Sequence, residues 1–243
     1  MTYNRTQDLE ALLELDMSIS SNDEFEQIDA MDQMRALADA YPDDEEFSIQ
    51  YSMGLAEVCL NSPLELAVIA ADRLRVLAEK PGAHLDVLVS YAQGLSELGY
   101  SGHVVLITRG EEFLRPFVTS PDVDSELAYA YSSLLHTLSC VQEPDEAEET
   151  LEHLRDLTER SILGGTDWYI RGLTNLFICQ AGEVSEQTRD RLTALMEAPD
   201  TAGRMRKEFS WQFDRYRRTH SSDVVFRTVS ALLPFLMKYN IQK

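Results

Sequence analysis

Apolar positions along this chain recur on two scales. Within short stretches they fall three, four and seven residues apart, which is the spacing of one helix face and not the alternation of a strand. Between stretches they return after about 40 residues. Tyr51, Tyr91 and Tyr131 are each followed four residues later by Leu55, Leu95 and Leu135. Met34, Leu74, Leu114 and Leu154 keep the same step, as do Leu37, Leu77 and Phe117, then Ala38, Ala78 and Val118. Phe47, Val87 and Leu127 keep it too, followed by Val58, Leu98 and Leu138. Arg35, Arg75, Arg115 and Arg155 share the period although arginine is only 17 of 243 residues. A repeat of this length predicts stacked units that each bury an apolar face on the next.

Each unit reads as two helices. The first ends near [LM]-R-x-[LF]-[AV], a proline-bearing turn follows at Pro42, Pro81 and Pro121, and the second carries Y-[SA]-x-[GS]-L. Proline belongs in such turns because it lacks the donor that a helix interior requires. Capping boxes are expected at Ser62 with Glu65, at Asp43 with Glu46 and at Ser21 with Glu24. Gly54 and Gly94 fall in mid-helix, where each costs about 1 kcal/mol against alanine. Their common register predicts a close approach of two helices. The fourth unit keeps Leu154, Arg155 and Leu157, then slips by two residues, so that Tyr169, Gly172 and Leu173 arrive early, with the deletion placed in SILGGTD. A fifth unit retains Leu192, Leu195 and Pro199, and residues 222–239 form a terminal helix bent at Pro234. The expected organisation is one all-α domain of about twelve helices. Residues 1–24 would be an N-terminal capping helix, 25–180 four repeat units, and 181–243 divergent basic helices.

These pairs resemble tetratricopeptide-type repeats, or a HEAT-like helical array. Gly54 and Gly94 occupy the small position of helix A, Ala67 or Ala71 that of helix B, and Pro81 and Pro121 the closing proline. The resemblance covers about residues 25–180. It implies a right-handed α-solenoid of about five helix pairs that binds peptides or protein surfaces on a concave face. Exposed positions flanking the tyrosine motif, Gln50, Gln93 and Ser133, would line that groove.

Charge changes this picture more than composition does. The formal net charge is -21, which disfavours nucleic acid and anionic lipid over most of the surface. It is unevenly spread. Residues 1–186 carry 10 basic and 36 acidic side chains, whereas 187–243 carry 11 and 6. The basic density peaks over 203–220, where Arg204, Arg206, Lys207, Arg215, Arg217 and Arg218 interleave with Phe209, Trp211, Phe213 and Tyr216. Three readings stand: a helix that buries its aromatics and solvates its cations; an interaction surface for an acidic partner, including head-to-tail self-association; or nucleic-acid contact through arginines and stacking aromatics. The four periodic arginines lie in the last turns of their helices, where a cation complements the helix dipole. They are also placed to pair with acids of the next unit such as Glu57 and Glu97. If all four instead faced solvent along one surface, they would form a ladder for carboxylates or phosphates.

Catalytic and metal signatures are missing from the sequence. Neither GxxxxGK[ST] nor GxGxxG nor GxSxG occurs, and the five histidines show no zinc spacing. Ser139-Cys140 lies in an apolar helix without an obvious base. Cys59, Cys140 and Cys179 read as buried, reduced thiols. The N-terminus lacks the apolar core of a signal peptide, and no window is apolar enough to span a membrane. The resulting expectation is a cytoplasmic, non-enzymatic interaction scaffold without cofactor or metal, with a nucleic-acid-associated regulator as the alternative.

Overall fold

The protein is described by a computed structural model covering residues 4–19, 23–99, 103–120, 122–159 and 165–241. These residues form twelve α-helices and no strand. In order they are α1 (Arg5–Ile19), α2 (Glu24–Ala40), α3 (Glu45–Asn61), α4 (Leu64–Ala78), α5 (Leu85–Gly99), α6 (Val104–Val118), α7 (Ser125–Val141), α8 (Pro144–Glu159), α9 (Gly165–Cys179), α10 (Glu186–Glu197), α11 (Ala202–Thr219) and α12 (Ser222–Lys238). The chain divides into two compact units, Met1–Leu134 and Leu135–Lys243.

In the first unit the odd-numbered helices pack in a row, α1 on α3 and α3 on α5, while α2 bridges α1 and α3, α4 bridges α3 and α5, and α6 packs on α5. The periodic apolar residues explain this. Met34, Leu74, Leu114, Tyr51, Tyr91 and Tyr131 are all buried. Met34 and Leu74 pack on the following helix of their own pair, at Gly54 and Gly94. Polar contacts report the same stacking: Ser52 donates to Ser90 at 3.2 Å, and the Ser96 and Ser133 hydroxyls meet at 2.9 Å. These partners are 38 and 37 residues apart. Gly54 and Gly94 behave as their register predicts. A Cβ on Gly54 would lie 2.9 Å from Met34 Cε, and one on Gly94 would lie 2.8 Å from Leu74 Cδ1. The recurring glycine is therefore the seat of the recurring Met/Leu on the preceding helix. Phe117 departs from the pattern and is exposed although Leu77 at the same register is buried.

In the second unit α9 is central and touches α8, α10, α11 and α12. The return of α12 to α9 is built on aromatics. Phe235 stands 4.7 Å from Phe177 and 5.5 Å from Phe209, ring centre to ring centre. The last helices thus close on one another instead of continuing a simple row. Pro234 lies inside α12.

The helix starts correct three expectations. Asp44, not Asp43, caps α3, accepting from the Glu46 amide at 3.2 Å. Ser21 lies outside the described residues, and Asp23 caps α2 through the Phe25 and Glu26 amides. At α4 no side chain caps the helix. Pro63 is the cap residue, and its carbonyl takes the Leu66 and Ala67 amides while the Ser62 hydroxyl is buried without a partner. Proline at the cap moves the start one residue on, leaving serine out of reach of the amides. Pro121 and residues 161–164 of the SILGGTD segment also lie outside the described residues. The thiols differ from one another: Cys59 is buried, Cys140 half-buried and Cys179 exposed. Among the described residues no helix is long and apolar enough to cross a membrane.

Candidate functional site

Helix α11 sorts its residues onto two faces. Met205, Phe209, Phe213 and Tyr216, spaced four, four and three, are buried. This is the ordinary fate of apolar residues at helical spacing. Trp211 is on the other side and 55% exposed. It stands in a stripe with Arg204, Lys207, Arg215 and Arg218, again at steps of three and four, all exposed. The Arg215 guanidinium carbon lies 5.9 Å from the Trp211 ring centre. The two remaining predicted cations sit off this stripe. Arg206 turns back to the Ala202 carbonyl at 3.2 Å, and Arg217 faces Asp214 at 3.8 Å.

Helix α9 supplies the opposite wall. Asp167, Ile170 and Arg171 join Arg204, Lys207, Glu208 and Trp211 around a cleft of about 360 Å³. Arg204 donates to Asp167 at 2.9 Å, and Arg171 approaches Glu208 at 3.7 Å. Arg171 also lies 4.8 Å from the Trp168 ring centre. The exposed Arg204–Asp167 pair is worth no more than about 1 kcal/mol. A carboxylate from outside can therefore replace Asp167 at little cost, and an exposed indole beside it offers apolar and cation–π contact. Asp167, Arg171 and Glu208 were not singled out by sequence reasoning. A signal existed, since Asp167–Arg204 and Arg171–Glu208 both span 37 residues, the separation at which Ser96 meets Ser133.

The other predicted positions, Gln50, Gln93 and Ser133, lie on α3, α5 and α7. Gln93 is exposed and Ser133 half-buried, and they share a register with the exposed Met53. Gln50 is half-buried and falls in the register of the buried Ser90 and Ala130. The periodic arginines pair with acids of their own helices, not with Glu57 or Glu97. Arg35 faces Asp39, Arg75 holds Asp72 and Glu79, Arg115 holds Glu111, and Arg155 holds Glu152, Asp156 and Glu159. Acids three or four residues away lie on the same helix face and need no help from a neighbouring unit.

Cys140 comes within 3.8 Å of His136 Nε2, yet the pair is tuned away from nucleophilic use. Burial pushes the Cys140 thiol up to about 12. Burial, with Arg171 and Arg215 nearby, holds His136 down at about 3. An activated thiolate–imidazolium pair needs the opposite shifts. Among the described residues no group of three His, Cys, Asp or Glu side chains is arranged to hold a metal ion.

Comparison with protein-family models, with curated proteins and with solved structures gives no match.

Proposed function

We propose that the protein is a non-enzymatic interaction scaffold of tetratricopeptide-like, right-handed α-solenoid type that works without a cofactor in the cytoplasm. It binds an acidic protein or peptide at the α9–α11 cleft and along the α11 stripe. The observation that carries this reading is Trp211, a large aromatic left in solvent among four cations on a helix whose other aromatics are buried. Exposed tryptophan flanked by arginine is the composition of an interface anchor. The acidic remainder of the chain favours rapid, steered encounter with its own kind as well, so a second copy belongs among the candidate partners.

The test uses the full chain and a fluorescein-labelled acidic helical peptide, followed by anisotropy. Reversing Arg204, Lys207, Arg215 and Arg218 to glutamate is expected to weaken binding at least tenfold, and Trp211→Ala by about 2 kcal/mol. Undiminished binding by the reversed variant removes the proposal. The same stripe supports one other reading, because arginine and tryptophan also stack on single-stranded bases. A salt-sensitive shift of a labelled oligonucleotide by the full chain, larger than that of the peptide, selects it.

A further inference from the structure

The repeat contains its own template for a ligand site in the first unit, away from α11. On α6, Glu111 is only 3% exposed. The Tyr131 hydroxyl donates to its Oε1 at 2.5 Å, and Arg115 donates through Nε to Oε1 at 2.9 Å and through Nη2 to Oε2 at 2.7 Å. A carboxylate is thus held by one tyrosine and one arginine at fixed places in the repeat. Forty residues earlier the tyrosine and arginine are retained as Tyr91 and Arg75, but the carboxylate is replaced by the methyl group of Ala71. The other two equivalents, Met31 and Leu151, fill the position with buried apolar bulk.

Ala71 does not fill it. A cleft of about 570 Å³ opens there, lined by Ala71, Arg75, Tyr91, Leu95, Leu106 and Phe113 among others. Tyr91 is 2% exposed, and no described residue takes its hydroxyl in a hydrogen bond. Unlike the Tyr51 hydroxyl at the same register, which is sealed in the core, it is open to the cleft and so to a ligand. Across from it Gly110 brings no side chain, and a Cβ there would lie 3.1 Å from the hydroxyl oxygen. Arg75 is occupied by Asp72 and Glu79, but these are exposed pairs whose exchange costs little. Asp72, Glu79 and Glu112 at the rim outnumber Arg75 and Arg109, so a bare anion is opposed while a zwitterion is not.

We infer that this cleft binds an apolar α-amino acid. Its carboxylate takes Tyr91 and Arg75 in the place that Glu111 occupies beside Tyr131 and Arg115. Its ammonium faces the rim acids, and its side chain packs on Leu95, Leu106 and Phe113.

The test is thermal melting of the full chain with L-leucine, with isovalerate, which lacks the ammonium, and with isopentylamine, which lacks the carboxylate. Leucine is expected to raise Tm by about 3–6 °C at ten times its Kd, isovalerate less, and isopentylamine not at all. Tyr91→Phe should weaken leucine about tenfold. Ala71→Glu should abolish the leucine effect by supplying the carboxylate internally. Glu111→Ala, which recreates the vacancy one layer on, should gain an acetate-dependent rise in Tm beyond that of the wild type. The inference is overturned if no shift appears with leucine up to about 50 mM. It is also overturned if the shift survives both Tyr91→Phe and Ala71→Glu, or if isopentylamine matches leucine.

Discussion

His136 sits in the core of the second unit as a neutral imidazole, with its ring 5.2 Å from that of Trp168 and Nδ1 unpartnered. Its pKa is held at about 3, against about 6.5 in an unfolded chain. Between those values the unfolded state binds a proton that the folded state does not, so stability rises with pH across that window and is level above it. The slope contributed is at most about 1.4 kcal/mol per pH unit. Urea melts of His136→Phe from pH 4.5 to 7 should therefore show a shallower pH dependence than the wild type. Glycine positions offer a second test. At Gly54 a methyl group would meet the flexible end of Met34, whereas at Gly110 it would collide with the Leu95 side chain. Gly110→Ala should cost about 1–3 kcal/mol and Gly54→Ala less, measured by chemical denaturation. The sequence made Gly54 and Gly94 legible because they recur with the tyrosine. Gly110 and Glu111 recur with nothing, and only the packing shows why they are there.

At the scale of helices, periodicity located the elements while local chemistry at their ends stayed ambiguous. Asp43 and Asp44 are adjacent acids, and either can cap α3 on paper. The choice falls on Asp44, which also holds Arg5 from α1. Asp44→Ala should cost about 1 kcal/mol through the lost cap. Ser62 reads as a cap in sequence, but its buried hydroxyl makes no bond, so Ser62→Ala should be neutral or stabilising, and thermal melts of the two variants separate these roles. Helix α11 was half legible. The spacing of Phe209, Phe213 and Tyr216 marks a buried face, but composition alone gave no reason to set Trp211 apart. Its exposure follows from where the four apolar positions place the core. Asp167 and Arg171 on α9 were missed because the repeat slips by two residues before that helix, so their partners Arg204 and Glu208 stand 37 residues away and not at the 40-residue step that marks the rest of the chain.

Over the whole molecule, the acidic excess is concentrated in the first unit, where 25 acidic side chains face 7 basic ones. Self-repulsion of that size weakens a folded state, and added salt screens it. Raising ionic strength from about 10 to about 200 mM should slow amide exchange in α1–α6 more than in α9–α12, which hydrogen-exchange mass spectrometry resolves. The all-helical architecture was open to sequence reasoning because it rests on apolar spacing. The closure of α12 on α9 was not, since it depends on Phe177, Phe209 and Phe235 meeting from three unrelated positions. In the first unit, side-chain to side-chain bonds between helices run from 20 residues along the chain for Tyr131–Glu111 to 41 for Arg5–Glu46 and Arg73–Asp32. Such short reach makes for low contact order and rapid collapse. During synthesis each helix pair can dock on the last one as it leaves the ribosome, without waiting for the C-terminus to be made.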